Sequence, residues 1–272
     1  MRSISRVCDV SINTVTKLLV EAGEAAEAFH DQTVTGLKTA QLQCDEIWSF
    51  CAAKQGNVKT MKAVNSDAGD VWTFTGLDSD SKLIISWYVG DRTLYNTTKF
   101  MKDTAGRIAS ACEVSTDGLL TYRSAVEVAF PAGTPYGQIR KVFGAPVEKG
   151  AARRYSPPVV VAAKKDNISG TADMATVSTS HVERMNLNIR MGNRRFTRLT
   201  NAFSKKLANH CNALALYFFF YNFCKLHKTL RTTPAQAAGV TDELLSMEHL
   251  CKIMDDAKPS EPRGPYKKQI AA

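Results

Sequence analysis

The chain has 272 residues, 44% hydrophobic and 22% charged, which suits one main folded domain with small appendages and excludes a disordered or low-complexity protein. A formal net charge of +9 and a pI near 9.2 favour polyanionic partners, because a basic surface gains affinity by releasing counterions condensed on nucleic acid. The seven cysteines are odd in number and include no C-x-x-C pair, so they read as reduced thiols, not disulfides or zinc ligands.

Residues 2–23, RSISRVCDVSINTVTKLLVEAG, parse as a short helix, a tight break around Asp9–Val10 and a longer helix with Ser11 as N-cap. Val15, Leu18 and Leu19 are expected to face inward, and Asn13, Thr14 and Lys17 outward. That is the shape of a helix-turn-helix, whose second helix sets its first turn against base edges in the major groove. Ser11, Asn13, Thr14 and Lys17 are therefore candidate DNA contacts; an ordinary helical hairpin is the alternative. A complete unit normally has a further helix ahead of this pair, so a partial module is expected. Residues 24–38 read as helix and then linker.

From Gln41 the pattern changes to strands. In QCDEIWSFC, alternation puts Asp45, Ile47 and Ser49 on one face and Glu46, Trp48 and Phe50 on the other. DVWTFTGL and KLIISWYV read as two strands joined by a DSDS turn. Residues 96–110 read as a helix with Phe100, Met101, Thr104 and Ile108 inside, and EVSTDGLL as a strand ending at Asp117–Gly118. A helix over 121–130 and a strand or extended segment around 136–143 follow. This order implies an α/β domain with a mixed sheet.

From about 146 to 178 the chain carries Pro146, Pro157 and Pro158, the basic pairs Arg153–Arg154 and Lys164–Lys165 and little periodicity, so a long loop is expected. Helices are expected over 180–195, 202–228 and 241–256, and then a disordered Pro- and Lys-rich tail. The aromatic run Tyr217 to Phe223 reads as core. Residues 1–20 have no signal-peptide pattern, and the most apolar run, Ala213 to Cys224, is too short to span a bilayer, so a cytoplasmic, nucleoid-associated protein with no membrane partner is expected.

Three acids stand out: Asp45 in an apolar strand, Asp117 at a strand end before glycine, and Glu183 near a helix start. Each alone could be a cap, a turn acid or an ion-pair partner. Asp45 falls among residues expected to be buried, where an ionised carboxylate needs a cation or hydrogen-bond donors. Mg²⁺ suits it, since it takes hard oxygen ligands and is held by a few carboxylates plus substrate phosphate. Two such ions about 3.5–4 Å apart can stabilise both the attacking and the leaving oxygen of a phosphoryl displacement. On a helix, Glu183, Arg190 and Arg194 fall in one stripe, opposite Val182, Met185, Ile189 and Phe196; a solvated cationic face is the plain alternative, and Gly192 weakens the helix. Glu46, on the far sheet face from Asp45, reads as secondary, Asp78 and Asp80 read as turn acids, and His181 as a cap, a substrate contact or a neighbour of the metals. His210 and His227 lack a partner at zinc-ligand spacing.

The segments QCDEIW, GDVWTFTGLDSDSKLIISWYVGDR, STDG, STSHVERMN, RMGNRRFTRLTNAFSKK and YNFCKLHKTLRTTPAQAAGV, which span most of residues 41–245, resemble the DDE-type transposases of bacterial insertion sequences, most closely the group typified by the smallest enterobacterial elements. The resemblance implies a ribonuclease H-like mixed sheet with flanking helices, a core shared with retroviral integrases. It also implies that Asp45, Asp117 and Glu183 are the catalytic, metal-binding trio, loaded with Mg²⁺ or Mn²⁺. The activity implied is hydrolytic nicking at element ends and attack of the freed 3′-hydroxyl on target DNA. Arg190, Arg194, Arg195 and Arg198 are expected to contact phosphates, with Asn222, Lys225 and Arg231 as weaker candidates. The expected layout is a partial helix-turn-helix and linker at 1–38, a catalytic domain at 39–235, and a C-terminal helix with a basic tail at 236–272. DNA ends and target DNA are the expected partners, with a homodimer or larger assembly at synapsis. The rivals are a transposase-derived regulatory or inactive DNA-binding protein, and a nuclease that cuts without joining.

Overall fold

A computed structural model describes residues 1–62, 65–144, 159–197 and 200–257. Two helices open the chain, α1 (Arg2–Val7) and α2 (Ile12–Thr33), and Ser11 caps α2 by accepting from the Asn13 amide at 3.2 Å. The strands are β1 (Gln41–Cys51), β2 (Gly69–Asp78), β3 (Ile84–Gly90), β4 (Glu113–Asp117), β5 (Tyr136–Phe143) and β6 (Val160–Ser169). Helices α3 (Leu94–Arg107) and α4 (Thr121–Ala129) flank β4 in the chain, and α5 (Ser180–Gly192), α6 (Leu207–Phe219), α7 (Pro234–Ala237) and α8 (Met247–Ala257) follow the last strand.

The six strands form one mixed sheet in the order β3-β2-β1-β4-β5-β6. β1 pairs antiparallel with β2 and parallel with β4; β4 and β5 are parallel, and the two outer pairs, β2–β3 and β5–β6, are antiparallel. Both faces of the central strands are covered. Leu42, Cys44, Phe74 and Val114 pack with Phe100 and Met101 of α3 and Tyr122, Ala125 and Val126 of α4. Ile47, Leu77 and Ile84 pack on the other side with Val182, Met185 and Ile189 of α5 and Leu214 and Phe218 of α6. Double coverage explains why β1 is buried along nearly its whole length instead of alternating with solvent.

The structure departs from the sequence reading at several places. The helix expected to run on past residue 24 does so, to Thr33, but it is no free lead-in to a linker: it packs on α6, with Ala22, Ala26 and His30 buried. Gly23 permits that crossing, because a Cβ there would fall inside the Asn212 backbone and side chain. Leu18, expected inside, is 54% exposed, since no described element covers that side of α2; Val15 is buried as expected. Part of the expected 146–178 loop is β6, an edge strand held by its ladder to β5; its side chains are mostly exposed, so it carries no periodic apolar signal. The long helix expected over 202–228 stops at Phe219 and continues as a π turn over Phe220–Cys224. That turn sets Asn222 to accept from the Ile84 amide at 3.0 Å and donate to the Ile84 carbonyl at 2.9 Å. Asn222 is therefore a buried structural residue, not a DNA contact. Among Tyr217 to Phe223, Phe218, Phe219, Tyr221 and Phe223 are buried as expected of core.

The Pro/Lys tail, Arg153–Arg154 and Arg198 lie outside the described residues. No helix among those described is long and apolar enough to cross a membrane.

Candidate active site

The site forms where a short strand stops beside a long one. β4 pairs with β1 only as far as Thr116 opposite Cys44, and ends one residue later at Asp117, while β1 runs on to Cys51. In the notch so formed, Asp117 stands beside Asp45 and Glu46. Its carboxylate accepts from the Leu119 amide at 3.2 Å, a turn that fixes the side chain at the strand end.

Asp45 and Glu46 leave β1 on opposite faces, as alternation requires. Asp45 accepts from Asn186 Nδ2 of α5 at 2.9 Å; Glu46 approaches Tyr122 Oη of α4 at 3.5 Å and pairs with Arg92 Nε at 3.1 Å. Arg92 is itself stacked on Trp72, 4.3 Å from the ring centroid. Yet carboxylate oxygens of Asp45, Glu46 and Asp117 come within 4.8 Å of one another. Glu46 belongs to the cluster because β4 no longer separates the two faces at this level. Its adjacency to Asp45 was visible in the sequence, but the early end of β4 was not.

Glu183 enters from the first turn of α5, where the helix dipole favours an acid. Thr179 Oγ1 donates to its Oε1 at 2.6 Å, and Lys141 of β5 pairs with its Oε2. It lies outside the three-carboxylate cluster but shares a cavity of about 650 Å³ with it, also lined by Arg140, Lys141 and Arg190. Arg140 is paired with Asp166 of β6, and Arg190 donates to the Phe196 carbonyl at 3.0 Å.

Burial, and then the Asp117 charge, raise the Asp45 carboxyl to about 7. Burial followed by the charges of Asp117 and Asp45 raises Glu46 to about 8 against the opposing Arg92, and burial raises Asp117 as well. Three crowded acids thus face one cavity with a deficit of positive charge. The Asn186 side chain adds a buried oxygen, Oδ1, with no hydrogen-bond partner. An all-oxygen donor set with a charge deficit fits a hard divalent cation such as Mg²⁺ or Mn²⁺.

The other candidates are dispersed. Asn13, Thr14 and Lys17 are exposed on the start of α2, where Lys17 lies 3.7 Å from Glu21, whereas the Ser11 hydroxyl is engaged as the cap. The helical stripe expected to carry Glu183, Arg190 and Arg194 breaks at Gly192; Arg194 and Arg195 sit on a 3-10 turn (Arg194–Phe196) and line a different cleft from Arg190. Arg195 is half-buried and donates to Ser204 Oγ at 3.0 Å. His181 contacts Lys82 at 3.1 Å, not the carboxylates, and the buried His210 bridges Ser49 and Ser204. Asp78 is a turn acid, accepting from the Ser81 amide at 2.9 Å.

Asn186, Lys141, Arg140 and Arg92 were missed by sequence reasoning. Asn186 had a signal, since it lies three residues after Glu183 on one helix face; the other three depend on strand pairing. No protein-family model matches the chain, and no curated protein matches it.

Proposed function

We propose that the protein is a metal-dependent DNA strand-transfer enzyme, a DDE-type transposase of a bacterial insertion sequence built on a ribonuclease H-like core. The observation that carries this reading is the meeting of Asp45, Asp117 and Glu183, from three elements far apart in the chain, at one cavity that also presents Lys141 and Arg190. The mixed sheet flanked by helices is compatible with that core.

Asp45, Asp117 and Glu46 would hold one divalent cation, and Glu183 with Asp45 or Asp117 a second. When bound, the cations supply Lewis-acid stabilisation of the charge that develops on phosphoryl oxygens. The protein's part is orientation. Asn186 fixes the Asp45 carboxylate, Thr179 fixes Glu183, and the Leu119 amide fixes Asp117. Lys141, which pairs with Glu183, and Arg190 would bind the non-bridging oxygens of the scissile phosphate. In nicking, water adds to phosphorus and the 3′-oxygen leaves as a hydroxyl; in joining, that hydroxyl is the nucleophile and displaces a 3′-oxygen of the target.

The test is to incubate the purified chain with labelled element ends, a target plasmid and Mg²⁺ or Mn²⁺, beside Asp117→Asn. Joined products that disappear in Asp117→Asn are expected. Nicking without joining identifies a nuclease. Neither reaction from folded wild-type protein with either metal overturns the enzymatic reading and leaves a DNA-binding regulator.

A further inference from the structure

A second cleft lies apart from the carboxylates. It measures about 1440 Å³ and is walled on one side by α1 and the Ile12–Thr16 face of α2, and on the other by residues 193–195, 200–203, 205 and 209. Five cationic side chains line it, Arg2, Lys54, Arg194, Arg195 and Lys205, and no acidic residue does. Among the described residues none of the five is ion-paired to a carboxylate.

Three of them, Lys54, Arg195 and Lys205, are instead held by neutral groups that leave the charge intact. Lys205 Nζ lies 3.4 Å from the Phe203 ring centroid, and Lys54 Nζ lies 5.7 Å from that of Phe50. Arg195 is positioned through Ser204 Oγ, which His210 Nδ1 holds at 2.9 Å while His210 Nε2 meets Ser49 of β1 at 3.2 Å. Partial burial and then the neighbouring Arg2 charge pull the Lys205 ammonium below the usual lysine value, and burial does the same to Arg195. Like charges are thus kept together with no carboxylate partner among the described residues. Asn193, Asn201 and Thr200 add the neutral donors typical of phosphate contacts.

We propose that this cleft is a phosphodiester-binding tract for duplex DNA, separate from the catalytic cavity and independent of metal. It rests on the reading of the chain as a DNA-processing enzyme. Cations spread over α1, the segment after β1, the turn after α5 and the approach to α6 match a line of phosphates better than a single anion. The cleft also adjoins the exposed first turn of α2, so a duplex lying on Asn13 and Lys17 has its backbone beside it. The tract accounts for Arg194 and Arg195 turning away from Arg190 at Gly192.

The test is fluorescence anisotropy of a labelled 30-base-pair duplex in EDTA, in the Asp117→Asn background of the full chain, so that cutting plays no part. The variant is Lys54→Glu/Arg194→Glu/Lys205→Glu, and the charge-matched control is Lys102→Glu/Lys228→Glu/Lys252→Glu; thermal melts confirm that both fold. The cleft variant should bind at least about tenfold more weakly at fixed salt than the control, with a salt slope shallower by about 3, one per lost phosphate contact. A loss no larger than the control's overturns the proposal, as does tighter binding of single-stranded RNA than of duplex by the parent protein. If the cleft variant fails the melt, Arg194→Gln/Lys205→Gln replaces it, with a twofold or smaller loss overturning the proposal. A wild-type chain that binds through the cleft but never nicks leaves this inference standing and removes the enzymatic one.

Discussion

Asp45 and Glu46 sit near 7 and 8 because burial, and then neighbouring carboxylates, oppose their ionisation. The consequence for stability has a definite sign. The unfolded chain releases these protons near pH 4 and the folded chain only near 7 to 8, so the folded state binds more protons in between. The two acids therefore cost the fold stability progressively as pH rises from about 4 to 8; below 4, where both states are protonated, that cost is absent and full stability is retained. Without divalent metal, Asp45→Asn should stabilise the protein by about 1–3 kcal/mol at pH 8.5 and by less than half as much at pH 5, read by urea denaturation, and on the proposed function should abolish strand cleavage. Equal effects at the two pH values would show that Asp45 is not a strained carboxylate. Because protons and cations compete for the same oxygens, the rise in melting temperature on adding Mg²⁺ should be larger at pH 8.5 than at pH 6. Glu46→Gln should raise the Mg²⁺ concentration for half-maximal stabilisation by about tenfold; an unchanged midpoint would remove Glu46 from the cation site.

Among the elements, α2 is the one whose role the sequence conceals. Its first turn was legible from Ser11, a short polar N-cap before an apolar run, and the structure has that cap. Its continuation past residue 24 was also expected, but the burial of that half was not legible, because the partner face belongs to α6, nearly two hundred residues away, and Gly23 looks like a helix breaker until Asn212 is seen against it. Gly23→Ala should cost about 1–3 kcal/mol in urea unfolding by forcing the two helices apart, although alanine is the better helix former; a stabilised variant would mean that the seam can shift. The strands show the same division. β1 to β5 could be read from β-rich runs and turn residues, and Asp117 from its place at a strand end. β6 could not, since an exposed edge held by backbone bonds has no buried face to mark it. Nor could the cluster of Asp45, Glu46 and Asp117, which needs the difference in length between β1 and β4.

For the molecule as a whole, the net charge of +9 is unevenly used. In the carboxylate cavity Arg140 and Lys141 meet Asp166 and Glu183, whereas the cations of the second cleft meet no acid among the described residues. If each of the five cleft cations neutralises one phosphate, the logarithmic salt slope of metal-free binding should be about 4–5, so that affinity drops about 500-fold between 50 and 200 mM salt. A slope near 1, measured by the same anisotropy titration, would place the binding energy elsewhere. The packing of α2 governs how such a complex could behave. One continuous helix of 22 residues carries the exposed Asn13 and Lys17 at one end and the buried Ala26 and His30 at the other. It is an axle welded to the body rather than a tether. On the proposed function, a duplex gripped at its tip would arrive at the carboxylates at a preset angle, and the number of base pairs between the gripped site and the cut would be a length measured by the protein.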